Sequence, residues 1–139
     1  MLTSRSGREP TSTVLSLAGG KNVPIRGVLR PLDLFVLLDV SVDHEDGEVK
    51  TQLTGYEFQL RQAEGPEVLA YHWHPKTPGF RAPHLHLSSA AGQLAPELQR
   101  AHLPTGSITL SQFVLMLIVD FGVAPLRPDW AAVLGSGTK

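Results

Sequence analysis

Apolar and polar residues alternate strictly in the middle of the chain. Three stretches show this alternation: TGYEFQLRQ (54–62), EVLAYHWH (67–74) and PHLHLSS (83–89). In the first stretch, Tyr56, Phe58 and Leu60 would lie on one face of a strand, with polar side chains on the other face. The breaks between the stretches are short and contain glycine and proline. The pattern predicts three antiparallel strands joined by short connections.

The flanking segments complete the predicted fold. The β-branched and leucine-rich run VPIRGVLRPLDLFVLLDVSV (23–42) favours a strand. The period then changes: TLSQFVLMLIVDFG (109–122) has the apolar spacing of a helix, and Thr109 and Gln112 stand at the spacing of a capping box. A second short helix is predicted in DWAAVLG (129–135). We therefore expect an α+β fold, in which an antiparallel meander of at least three strands packs against a C-terminal helix on one face.

Length and composition set limits on organisation and function. A chain of 139 residues predicts a single α+β domain, placed at 13–134, with polar tails at 1–12 and 135–139. The net charge of -1 offers no basic field to attract nucleic acid, and the absence of cysteine excludes disulfides and thiolate ligands. We find no signal-peptide pattern and no apolar run long enough to cross a bilayer, so we expect a cytoplasmic protein.

Four of the six histidines lie in two His-x-His pairs within YHWHPKTPGFRAPHLH (71–86). Side-chain parity predicts how these pairs are arranged, because a slip of one residue would turn every side chain to the other face. If 63–66 is a loop, Gln62 pairs with Glu67 and Tyr56 pairs with Trp73. The aromatic and aliphatic residues of the two strands then face one another, as stable cross-strand pairs do.

The same register predicts a histidine cluster. It places Glu57 opposite His72 and Gly55 opposite His74. If 75–83 is the next loop, His74 pairs with His84, and His72 pairs with His86. The sequence therefore predicts that the four histidines and Glu57 share the sheet face turned away from the aromatic core.

Two kinds of chemistry suit such a cluster. Imidazole is a good ligand for divalent metals, which makes His72, His74, His84 and His86 candidate ligands of Zn, Ni or Mn. Alternatively, His84 and His86 would act as general acid and base without a metal, supported by Glu57, with Arg81 positioning a phosphate. A solvated face of the sheet is the third interpretation. His102, just before the long helix, would join the site only if its turn folds over the sheet; local capping is the favoured expectation.

The segments YEFQL, YHWHP, FRAPHLHL and HLPTGSITLSQFVLMLI together resemble the TumE-like group of small bacterial toxins, which are paired with antitoxins. The resemblance covers roughly residues 56–121. It implies action on RNA or another intracellular target, and a protein partner that covers the site. With the histidine cluster, it leads to the expectation of a metal-dependent or histidine-catalysed hydrolase, such as a toxin-like ribonuclease.

A second hypothesis belongs to a different functional class. The helix predicted at 109–121 is apolar almost all round, which is typical of a helix that is deeply buried or covered by a partner. The protein would then be a non-enzymatic interaction module, and this helix would bind an antitoxin-like partner or a second copy in a homodimer. Substitutions in the histidine pairs separate the two hypotheses, since only the first requires the imidazoles.

Overall fold

The computed structural model describes residues 10–27, 30–88 and 102–136. These residues form seven strands, two α-helices and one 3-10 turn at Leu17–Gly19. The strands are β1 (Thr11–Ser16), β2 (Val23–Arg26), β3 (Pro31–Glu45), β4 (Glu48–Gln62), β5 (Glu67–Trp73), β6 (His84–Leu87) and β7 (Leu103–Pro104). The helices are α1 (Leu110–Val119) and α2 (Trp130–Ser136). No helix in these three ranges is long and apolar enough to cross a membrane.

All seven strands belong to one antiparallel sheet, in the order β1-β3-β4-β5-β6-β7, and β2 pairs with β3 beside β1. The α+β prediction is confirmed: a meander forms the centre of the sheet, and α1 packs on one face. The predicted run at 23–42 contains two strands, because β2 ends at Arg26 and a break precedes Pro31.

The first strand and the last helix extend into the segments that were predicted to be tails. Strand β1 begins at Thr11, two residues before the expected start of the domain, and α2 continues to Ser136, past its expected end. Most of the predicted N-terminal tail (1–9), together with 137–139, lies outside the described residues.

The core lies between the sheet and α1. Tyr56 and Phe58 are fully buried and stacked, with ring centroids 4.7 Å apart, and Phe58 stacks on Phe113 of α1 at 5.2 Å. The Tyr56 hydroxyl accepts a hydrogen bond from the Ile108 amide at 3.0 Å, which fixes the segment that leads into the helix. These contacts place the aromatic side of the meander against α1 and leave the opposite side for the histidines.

Helix α1 begins as the sequence predicts. Thr109 and Gln112 form a reciprocal capping box, which satisfies two amides that would otherwise lack partners at the start of the helix. The helix ends at Val119 with Asp120 as its C-cap, and Gly122 takes a left-handed conformation (φ 65°) two residues later. Gly122 therefore occupies the C″ position, one residue beyond C′.

The first hairpin has the predicted faces and one corrected pair. Tyr56 pairs with Trp73, and Glu57 pairs with His72, as expected. Gln62 does not pair with Glu67: a bulge shifts the register, so Glu67 pairs with Arg61. The extra residue on β5 is Val68, which is buried in the core. Burial of this additional aliphatic side chain accounts for the shift. The prediction assumed a regular ladder, in which no strand carries an extra residue.

The second hairpin is shifted by two residues from the prediction. His72 pairs with His84, and His86 pairs with Ala70, so the predicted pairs of His74 with His84 and of His72 with His86 are wrong. The reason is that β5 ends at Trp73, and a turn follows in which the Thr77 amide donates to the His74 carbonyl at 3.1 Å. A shift of two preserves parity, so the histidines keep the predicted face.

Candidate metal centre

Three imidazoles meet on the sheet face opposite α1. His72 lies on β5, and His84 and His86 lie on β6. One ring nitrogen from each can be chosen so that all three atoms lie within 4.8 Å of one another. A tetrahedral zinc ion bound at about 2.0–2.1 Å would bring such nitrogens to about 3.4 Å. Small side-chain rotations would achieve this, because the backbone already directs the three rings to one point.

The tautomer of His84 is fixed by the backbone. Its Nδ1 lies 2.7 Å from the carbonyl oxygen of Ala82, which can only accept a hydrogen bond, so Nδ1 carries the proton. In the neutral ring, Nε2 then has the lone pair. A histidine that donates one N–H to a carbonyl and offers the other nitrogen is the usual arrangement at a metal site. With 4% of its surface exposed, His84 is the most deeply buried histidine of the group.

Burial favours the neutral form of His72 and His86. Burial first, and then the neighbouring histidines, lower the pKa of His72 from 6.5 to about 4. The pKa of His86 is lowered as well, by burial first and then by His84 and His102. In addition, His72 Nε2 is buried without a hydrogen-bond partner among the described residues. Neutral imidazoles with available lone pairs are the form that binds metals, whereas a general acid needs a proton to give.

Glu57 stands beside this group on β4. One carboxylate oxygen, Oε1, lies 3.6 Å from His72 Nε2, and the other, Oε2, lies 3.8 Å from His74 Nε2. The carboxylate also accepts a hydrogen bond from Gln59 Nε2, and Gln59 in turn accepts one from Arg61 at 3.3 Å. These side chains alternate along one strand, so they share the histidine face and together orient the carboxylate.

The remaining predicted site residues lie further out. His74 follows the end of β5; its ring is 5.5 Å from that of His72, and it lies outside the group of three. Because His74 is in a turn rather than opposite His84, it faces Glu57 instead. Arg81 is exposed in the loop between β5 and β6, and no hydrogen bond or ion pair joins it to the cluster in the described structure.

Two neighbours of the cluster lie outside the predicted site. The ring of His102 lies 5.0 Å from that of His84 and 4.7 Å from that of His86. Phe80 stacks on His102 at 5.5 Å and meets His84 edge-on at 5.0 Å. The short strand β7 explains why His102 is here: Leu103 and Pro104 pair with Leu85 and His84, which brings the preceding residue over the cluster. The less favoured expectation for His102 is therefore the observed one, while no sequence pattern indicates Phe80.

Comparison of the chain with known protein families, with curated proteins and with solved structures finds no match.

Proposed function

We propose that His72, His84 and His86 form a mononuclear site for a divalent metal, with zinc as the best fit among Zn, Ni and Mn. The observation that carries this proposal is the convergence of three ring nitrogens within 4.8 Å. The fixed tautomer of His84 and the unpartnered Nε2 of His72 support it, since both describe imidazoles prepared to donate a lone pair. Three histidine ligands suit Zn²⁺ and leave room for a further ligand.

We propose hydrolysis as the chemistry of this centre. A metal held by three neutral imidazoles would retain its positive charge and polarise a bound carbonyl or phosphoryl oxygen. It would also lower the pKa of a bound water, so that the water would lose a proton near neutral pH and attack as hydroxide. Glu57, whose carboxylate lies 3.6 Å from His72 Nε2, would accept the proton from that water. Beyond His74 lies a polar cavity of about 180 Å³, lined by Asp39, Lys76 and hydroxyl side chains, which suits the polar part of a substrate.

The test compares a panel of phosphate and carboxylate esters, with RNA included because the toxin resemblance implies it. The metal is first removed with a chelator and Zn²⁺ is then restored. The informative variant is Glu57→Gln, which keeps the shape of the side chain but removes the base. It should retain the metal and lose about 100-fold or more in rate. Zinc-loaded protein that cleaves no substrate faster than His84→Ala would contradict the hydrolase assignment.

One set of observations favours the interaction module as a second candidate. In α1, Phe113 and Leu117 are buried against the sheet, but Leu115 and Val119 are 39% and 65% exposed. An apolar cavity of about 370 Å³ lies between α1, α2 and the sheet, on the side opposite the histidines. Such a surface suits a second copy of this chain or an antitoxin-like partner.

Light scattering tests the self-association form of this second candidate. If α1 mediates a homodimer, Leu115→Glu should convert it to a monomer, because the new charge would have to be buried in the interface. A wild-type protein that is monomeric at high micromolar concentration would contradict the homodimer.

A further inference from the structure

The imidazole of His102 lies beside the proposed three-histidine site but is not one of its ligands. The separations of the His102 ring from those of His84 and His86, 5.0 and 4.7 Å, match the 4.8 Å between the rings of His84 and His86 themselves. His102 is therefore as close to two of the proposed ligands as those ligands are to each other. The nitrogens of His102 lie outside the 4.8 Å group of three, so rotation of its exposed side chain would be needed to bring one of them to the metal.

We propose that His102 is the fourth ligand of the metal and that it is exchangeable. This inference rests on the proposed metal site and adds the identity of the group that occupies its remaining position. The resting centre would have four histidine ligands. A substrate oxygen or a water would replace His102, and the other three imidazoles would continue to hold the ion.

The way in which each histidine is held supports the exchange. His72 and His84 form a directly paired rung of the sheet, and His86 follows on the same strand, so strand pairing fixes their backbones. His102 precedes β7, a strand of only two residues, and its side chain is exposed. Its release therefore requires no disruption of the core or of the central ladder.

Phe80 helps to hold the His102 ring in the position from which it would bind the metal. The two rings lie 5.5 Å apart at 29°, a stacked arrangement, and Phe80 is itself 40% exposed. Stacking between aromatic rings of this kind stabilises one orientation modestly. An exposed aromatic ring behind an exposed imidazole gives a contact strong enough to favour the ligand position and weak enough to be broken.

Cobalt(II) is the probe for the test, because its visible absorption is stronger and differently placed with four ligands than with five or six. The full-length protein is freed of metal, and Co²⁺ is titrated into the wild type, His102→Ala and the matched control His44→Ala. His44 is an exposed histidine on the β3–β4 hairpin, so its loss changes the histidine count without touching the cluster.

We expect one equivalent of Co²⁺ to bind in all three proteins. In His102→Ala the affinity should fall at least tenfold, the visible bands should shift because a water replaces an imidazole, and millimolar imidazole should restore them by occupying the vacated position. Azide should perturb the wild-type spectrum by displacing His102. Identical spectra and affinities in His102→Ala and the wild type would overturn the assignment of His102 as a ligand while leaving the three-histidine site intact.

Two other outcomes are distinct from that one. If the wild type ignores azide while His102→Ala responds, His102 is a permanent ligand and the exchange is refuted. If the wild type binds no Co²⁺, the metal site itself fails, and the assignment of His102 fails with it.

Discussion

The low pKa of His72 predicts that the metal-free protein loses stability in mild acid. In the folded state the pKa is about 4, whereas the ordinary value is 6.5. Between these values the unfolded chain binds a proton that the folded protein excludes, because protonation would place a charge at a half-buried position near four other imidazoles. The contribution of His72 to stability is therefore complete above pH 6.5 and is lost progressively as the pH falls towards 4.

The magnitude follows from the two pKa values. Lowering the pH from neutral to 5 should raise the equilibrium constant of unfolding by a factor of about 30. This corresponds to a loss of about 2 kcal/mol in the free energy of unfolding. For a domain of this size that is a substantial part of the total free energy of unfolding.

Urea unfolding of chelator-treated protein at pH 7.5 and pH 5 measures this loss. Other groups also titrate in this range, so the comparison is between the wild type and His72→Gln, which cannot take up a proton. Between the two pH values, the free energy of unfolding should fall by about 2 kcal/mol less in the variant than in the wild type. Exposed His44 gives the control, because His44→Gln should follow the wild type. Equal pH sensitivity in the wild type and His72→Gln would refute the argument.

Three further substitutions, one of them with a matched control, test the fold that supports the site. Phe113→Ala removes a fully enclosed ring between the helix and the sheet and should lower the free energy of unfolding by about 3–5 kcal/mol in urea titrations. Gly55→Ala should destabilise by about 1–3 kcal/mol in thermal melts, since its Cβ would lie 2.8 Å from a backbone oxygen, whereas Gly106→Ala has open space and should melt near the wild type. Thr109→Ala removes the helix cap and should cost about 1 kcal/mol, with a loss below 0.3 kcal/mol contradicting the capping role.

The sequence predicted the faces of the central sheet better than its pairing. The aromatic side chains of β4 and β5 alternate so regularly that only one parity buries them, and this parity determined where His72 and His86 lie. The exact partners depended on details without a periodic signal. A buried extra residue, Val68, altered the register of one hairpin, and a turn at His74 accompanies a shift of two residues in the other.

The composition of the metal group shows the same limit. His84 and His86 were expected together because they are two residues apart on one strand. His102 comes from a distant part of the chain, and its place depends on the two-residue strand β7, which is too short to leave a pattern. Phe80 lies in an irregular loop for which parity makes no prediction. Long-range contacts made by short or irregular segments are thus the part of the site that periodicity does not encode.

Metal content of the purified, untagged protein tests the central claim most directly. Inductively coupled plasma mass spectrometry should find close to one divalent ion per chain in the wild type, or after incubation with Zn²⁺ and removal of excess. The double variant His84→Ala/His86→Ala should retain almost none, while His44→Ala should match the wild type. Equal metal in the wild type and the double variant, or none in the wild type after exposure to Zn, Ni and Mn, would contradict the metal centre.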